Sequence, residues 1–128
     1  MTIEVVLDSS AVLAYLQNEP GGETALTALT SAVMSSVNYA EVITKLIEWG
    51  ATADEAETTA EVLALDLVAA DATRCIQAGR LHERTKGRGV SIGDRFCLAL
   101  AEETGLPVLT ADKRWAELEI GVEVRLIR

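Results

Sequence analysis

Residues 3–17, Ile3-Glu-Val-Val-Leu-Asp8-Ser-Ser-Ala-Val-Leu-Ala-Tyr-Leu-Gln17, decide the fold. Ile3 to Leu7 is a short, β-branched run that ends at an aspartate. From Ser9 to Gln17 the chain is apolar almost all round, the pattern of a helix buried against a sheet. A strand that feeds directly into such a helix is the opening of a β-α unit.

The same alternation continues outward. Pro20-Gly21-Gly22 breaks the chain, and a helix of small residues and threonines from about Glu23 to Thr30 leads to Ala32-Val-Met-Ser35, a strand that is polar for a core position. After Asn38, read as a cap, Tyr39, Val42, Ile43, Leu46 and Ile47 recur at helical spacing, and Gly50 closes the helix. The spacing predicts a helix over 53–63, a strand over 65–69, and a helix from Asp71 to about Thr85. A basic loop follows, Lys86-Gly-Arg-Gly89. A helix over 91–104 stops at Gly105, then come a strand at Leu106-Pro-Val-Leu109, a short helix over 111–118 and a last strand over 122–127. Strands separated by helices imply parallel pairing through right-handed crossovers. The expectation is one α/β domain over residues 1–128 with helices on both faces.

Composition agrees with a folded chain: 128 residues, 49% hydrophobic and 24% charged. A domain of this length buries roughly two-thirds of its unfolded surface, so it needs no staples. Cys75 and Cys97 lack paired C-x-x-C spacing, and no leader precedes the first strand, so a reducing, cytoplasmic setting is expected. No apolar run approaches the ~18 residues of a membrane span. The net charge of −9 argues against coating nucleic acid through bulk positive charge. That charge is uneven, −11 over residues 1–73 and +2 over 74–128. Arg74, Arg80, Arg84, Lys86 and Arg88 cluster, with Arg95 beyond and Lys113-Arg114 later. Alone, such a cluster is a solvated surface; beside a site it becomes a phosphate-contacting rim.

Side chains just past the carboxyl ends of parallel strands converge on a crevice. Asp8 follows the first strand and Asp112 follows the fourth. Asp94 lies in the first turn of the helix before the fourth strand, and Glu41 in the first turn of the helix after the second. Each also has a local reading. Ser91-x-x-Asp94 is a capping-box spacing, Asp8 and Asp112 suit helix starts, and Glu41 with Lys45 is an i,i+4 pair worth about 0.2–0.5 kcal/mol. Capping does not explain why four acids gather at one end of a sheet. Gathered carboxylates repel unless protons or a cation neutralise them, and oxygen-only donors point to Mg²⁺, with Mn²⁺ as a substitute. Such an ion suits attack of water on a phosphodiester.

Other chemistries lack their parts. His82, the only histidine, has no nucleophile or acidic partner placed to form a triad. No P-loop and no G-x-G-x-x-G follows a strand. Asp8 lacks the second aspartate two residues on that haloacid-dehalogenase-like phosphatases use. Trp49, Trp115 and Tyr39 are too scattered for a base-stacking platform, and Trp49 is expected in the core or an interface.

Four segments, Val6-Leu-Asp8-Ser-Ser-Ala-Val-Leu13, Asn38-Tyr-Ala-Glu41-Val42, Ser91-Ile-Gly-Asp94-Arg-Phe-Cys-Leu-Ala-Leu-Ala101 and Leu106-Pro-Val-Leu-Thr110-Ala-Asp112-Lys-Arg-Trp115, resemble in order and spacing the PIN-domain ribonucleases, and among them the VapC toxins of toxin–antitoxin pairs. The resemblance implies a three-layer α/β/α fold with a central, mostly parallel sheet of about five strands. It implies an Mg²⁺-dependent endoribonuclease, a homodimer, an antitoxin partner, and transfer or ribosomal RNA as the substrate class. Asp8, Glu41, Asp94 and Asp112 correspond to the acidic quartet. Asp8, Asp94 and Asp112 are expected to hold the metal, Glu41 to bind it or orient water, and Ser10 and Thr110 to support the site. Arg95, Lys86 and Arg88 are the expected contacts to RNA phosphates. Two rivals are a catalytically silent PIN-like binding module and a phosphotransfer receiver-like domain; the second lacks a lysine after its last strand.

Overall fold

The structure, a computed structural model, describes residues 2–128. Its elements in chain order are β1 (Val5–Leu7), α1 (Ser9–Leu16), α2 (Gly22–Ala28), a 3-10 turn (Leu29–Ser31), β2 (Ala32–Ser35), α3 (Ser36–Glu48), α4 (Ala53–Val62), β3 (Asp66–Val68), α5 (Ala72–Arg80), α6 (His82–Thr85), α7 (Ile92–Thr104), β4 (Val108–Thr110), a second 3-10 turn (Lys113–Glu117) and β5 (Val124–Leu126). The five strands pair in the order β3-β2-β1-β4-β5, every pair parallel. Val6 of β1 lies opposite Val33 of β2 and Val108 of β4.

Strand side chains alternate between two faces, and so they build two cores. Val6, Val33 and Val108 pack with Leu81, Cys97, Leu98, Ala101 and Trp115 on the α5 and α7 side. Val5, Leu7, Met34 and Leu109 pack with Ala11, Val12 and Val42 on the α1 and α3 side. This is the expected three-layer α/β/α arrangement. The order also excludes the receiver-like rival, whose doubly wound sheet runs 2-1-3-4-5. Among the described residues no helix is long and apolar enough to cross a membrane.

Several local expectations change. Asn38 is not a cap. Ser35 is, its Oγ accepting from the Val37 amide at 3.2 Å, and Asn38 lies fully buried inside α3. The predicted helix to Thr85 divides at Leu81 into α5 and α6, and the short helix over 111–118 is a 3-10 turn. Lys45 pairs with Glu48 at 3.1 Å, leaving Glu41 to other partners. Trp49 is 44% exposed, whereas Trp115 is the large aromatic of the core. The second strand, polar as it reads, is buried at all four residues because β1 and β3 flank it.

The strand order reverses at β1, between the crossovers to β2 and to β4, and a crevice forms there at the carboxyl ends. The N-termini of α1, α3 and α7 meet this end of the sheet; Asp8 holds the N-cap position of α1 and Asp94 lies in the first turn of α7, whereas Glu41, expected in a first turn, sits in the second because α3 already begins at Ser36.

Candidate active site

Asp8, directly after β1, is 3% exposed. Its Oδ2 accepts from the Ser10 hydroxyl at 2.5 Å and from the Thr110 hydroxyl at 2.8 Å. Ser10 in turn accepts from the Ala111 amide at 2.9 Å, and Thr110 from the Asp112 amide at 3.0 Å. A hydroxyl has one proton, and both are committed to Asp8. The two hydroxyls therefore lock Asp8 to the loop after β4 and leave its Oδ1 outside any hydrogen bond among the described residues. Burial pushes the Asp8 carboxyl up to about 6, partly offset by the Ser10 and Thr110 hydrogen bonds and reinforced by the negative charges of Asp94 and Glu41.

Asp94 is held by the capping box that its spacing predicts. Its backbone amide donates to Ser91 Oγ at 3.2 Å, and its Oδ2 accepts from the Ser91 amide at 2.9 Å. The structural role and the functional one thus coexist, because a cap occupies one carboxylate oxygen and Oδ1 remains open. Glu41 is fixed differently. Its Oε1 accepts from Asn38 Nδ2 at 2.8 Å and from the Ser9 hydroxyl at 3.3 Å. The second proton of the Asn38 amide goes to the Gly93 carbonyl at 2.9 Å, which ties α3 to the start of α7. A Cβ at Gly93 would lie 2.7 Å from the Glu41 carboxyl carbon, so a larger residue there would push the Glu41 carboxylate out of its place. Glu41 Oε2 takes part in no hydrogen bond among the described residues.

Asp112 departs from this pattern. It caps the 3-10 turn, its Oδ1 accepting from the Arg114 amide at 3.0 Å. The Arg114 guanidinium then closes on both oxygens, Nε to Oδ1 at 3.0 Å and Nη2 to Oδ2 at 2.7 Å. The hydrogen bond from Arg114 holds the Asp112 carboxyl below the usual carboxylate range. The crevice thus unites Asp8, Glu41 and Asp94 and leaves Asp112 turned onto its neighbour. Cys97, a buried residue of α7, lies near the same three: burial raises its thiol, followed by the charges of Asp8, Asp94 and Glu41.

Of the basic residues, Lys86 and Arg88 are exposed on the loop, where Arg88 Nη2 donates to the Glu117 carbonyl at 3.2 Å. Arg95 is drawn back onto α5 and α6, with Nε donating to the Ala78 carbonyl and Nη1 meeting His82 Nδ1, both at 3.1 Å. Its Nη2 stays unengaged. A groove lined by Ala40, Glu41, Thr44, Lys45, Ile92 and Gly93 opens beside Glu41.

Sequence reading missed Ser9, Asn38, Gly93 and Arg114 as site residues. Gly93 left a signal, since glycine in the first turn of an otherwise strong helix costs up to about 1 kcal/mol and needs a reason. The other three carry none that is local.

All donors here are oxygens, each of three carboxylates keeps one oxygen open, and the buried Asp8 has no cationic partner. That chemistry fits a hard divalent cation. Among the described residues no three acidic, histidine or cysteine side chains form a ready-made cage. Mg²⁺ needs none, since it keeps several waters and takes one or two carboxylates.

The sequence pattern of the PIN domain family matches residues 5–121. No curated protein matches the chain in sequence. Solved structures do match. The DNA-bound VapBC of Salmonella typhimurium is 16% identical, with 99% of this chain and 100% of that one covered at a TM-score of 0.77. VapBC-5 of Mycobacterium tuberculosis, a member of the VapBC family of toxin–antitoxin systems, is 28% identical, with 98% of each chain covered and a TM-score of 0.64. VapC20 of the same organism, a sarcin–ricin loop cleaving toxin, is 19% identical, covering 94% of this chain and 99% of that one at a TM-score of 0.72.

Proposed function

Because the chain belongs to the PIN domain family, we propose that it is a metal-dependent endoribonuclease, the toxin of a toxin–antitoxin pair. The observation that carries the reading is the group of three carboxylates, Asp8, Glu41 and Asp94, each held by one oxygen and open at the other. A protein that only bound a partner would have no need to bury Asp8 uncompensated.

Asp8 and Asp94 would hold Mg²⁺ or Mn²⁺ through their open oxygens, with Asp112 the third expected ligand. A cation bound there supplies an activated water and neutralises charge on a phosphodiester. The protein's own part is positioning. Ser10 and Thr110 keep Asp8 from rotating, and Ser91 does the same for Asp94. Asn38 and Gly93 place Glu41, whose Oε2 is free to accept a proton from an attacking water. Lys86 and Arg88 on the exposed loop and Arg95 through Nη2 face RNA phosphates. The groove between α3 and α7 gives the strand a bed that leads to Glu41.

The substrate class we propose is structured transfer or ribosomal RNA, supported by the likeness to a sarcin–ricin loop cleaving toxin. An antitoxin partner is supported by the likeness to VapBC complexes. A homodimer is supported by Val62, Leu67 and Ile76, apolar and exposed on α4, β3 and α5.

The test is incubation of the protein and of Asp94→Asn with total cellular RNA and Mg²⁺, followed by mapping of the new ends. Discrete cleavage by the wild type and none by the variant is expected. Cleavage by Asp94→Asn at the wild-type rate overturns the assignment.

A further inference from the structure

We propose that Asp112 is the anchor of Arg114, and not a ligand of the cation, and that Arg114 is the arm that receives a substrate phosphate at the rim of the site. The inference rests on the nuclease reading above and reassigns one of its expected ligands.

Two observations carry it. Asp112 differs from the other acids in having neither oxygen open, since Oδ1 and Oδ2 are both taken by the Arg114 fork. A cap for the 3-10 turn needs only Oδ1 and the Arg114 amide, so the guanidinium contact is additional to the cap. Second, Arg114 reaches beyond its anchor. A Cβ on Gly89 would lie 2.6 Å from its Nη1. The backbone of the basic loop thus closes on the guanidinium at a residue with φ of 72°.

A surface Asp–Arg pair is by itself worth little. Its geometry is what matters here. With Nε and one proton of Nη2 on Asp112, Nη1 has no hydrogen-bond partner among the described residues, and the side chain is 63% exposed. A planar guanidinium fixed along one edge keeps its other edge for the paired oxygens of a phosphate. Lys86 and Arg88 stand on the same loop as Gly89, so the free edge looks toward a positively charged rim, which is an anion's place. Arginine supplies the fork; a lysine would supply only a point charge.

The test separates metal from substrate. Mn²⁺ binding is measured by calorimetry on the metal-free wild type, Asp8→Asn, Asp112→Asn and Arg114→Ala. Asp8→Asn should lose binding, while the other two should change affinity by less than the roughly tenfold that loss of a supporting residue brings. Loss of Mn²⁺ binding in Asp112→Asn equal to that in Asp8→Asn overturns the reassignment. RNA binding is measured by fluorescence anisotropy in EDTA, with a short single-stranded RNA of mixed sequence. Arg114→Ala should weaken it about tenfold and lower the salt slope by about one. Arg114→Lys should keep the slope while losing affinity. Arg125→Ala should do nothing. RNA affinity and salt slope unchanged in Arg114→Ala sink the proposal. A wild type that neither binds Mn²⁺ nor cleaves RNA overturns instead the nuclease reading beneath it.

Discussion

Asp8 and Asp112 leave neighbouring strands at the same end of one sheet, yet the protein treats their charges in opposite ways. Asp8 is buried, held by two hydroxyls that carry no charge, and its carboxyl is pushed up to about 6. Asp112 is partly exposed, gripped by an arginine, and its carboxyl is pushed down. The difference fits the proposed cation site beside Asp8 rather than at Asp112. The fold supplies a counter-charge at Asp112 and withholds one from Asp8, Glu41 and Asp94. An acid left without its own cation in a buried place is costly unless something from outside neutralises it.

The largest effect is expected at Asp8 itself. Asp8→Asn keeps the shape and lets its carbonyl accept from Ser10 and Thr110. RNA cleavage should fall on the order of 10²-fold or more, read as initial rates with Mg²⁺. Stability should move the other way. In the absence of metal, the folded carboxyl titrates near 6 and the unfolded one near 3.8, so between those values the folded state holds more protons. Its penalty is absent below about pH 4, grows as pH rises, and is complete above about pH 6 at roughly 3 kcal/mol. Urea titrations of the two proteins from pH 4 to 7 should show the variant gaining its advantage as pH rises. A constant difference across that range would remove the contrast between the two acids.

Thr110→Val comes next. It strips one donor from Asp8 and leaves the Asp112 amide without its acceptor. Cleavage should fall about 10- to 100-fold and stability by about 1–3 kcal/mol, measured by the same assays. Gly93→Ala should be milder in activity, about tenfold lower from a displaced Glu41. Its helix should be no less stable, since alanine is the better helix former. A loss of stability with unchanged cleavage would show that Gly93 serves packing alone. Smallest is the stability change of Asp112→Asn, within about 1 kcal/mol for a partly exposed pair. Its sign is the reverse of that at Asp8: a carboxyl held low in the folded state stabilises at neutral pH and loses that contribution as pH falls below the unfolded value. Acid titration of wild type and variant should therefore converge.

Much of this was readable where the cause is local. Ser91 and Asp94 lie three residues apart, so the capping box shows in the spacing and appears in the structure. Gly105 ends α7 at φ of 71°, as a helix-stopping glycine should. The five strands and their parallel pairing followed from the alternation begun at Ile3. What escaped depends on distant residues. Asn38 has the chemistry of a cap, and only the approach of Gly93, 55 positions away, turns it inward to hold Glu41. The division of α5 from α6 falls at Leu81, a buried residue with helical backbone angles, and Gly79 two positions before it reads as part of the helix face. Arg114 was placed among scattered bases, because nothing in the order Asp112-Lys-Arg114 tells which basic side chain folds back.

The hydrogen bond from Thr110 to Asp8 joins residues 102 positions apart. Parallel pairing of the first strand with the fourth is non-local, and its contacts come only after a long loop is closed. During synthesis, a chain that ends before Thr110 has Asp8 without its clamp and the sheet without β4. The centre therefore assembles only when nearly the whole domain is available to fold. For the proposed nuclease, that topology is a delay: a chain still short of β4 has no assembled site.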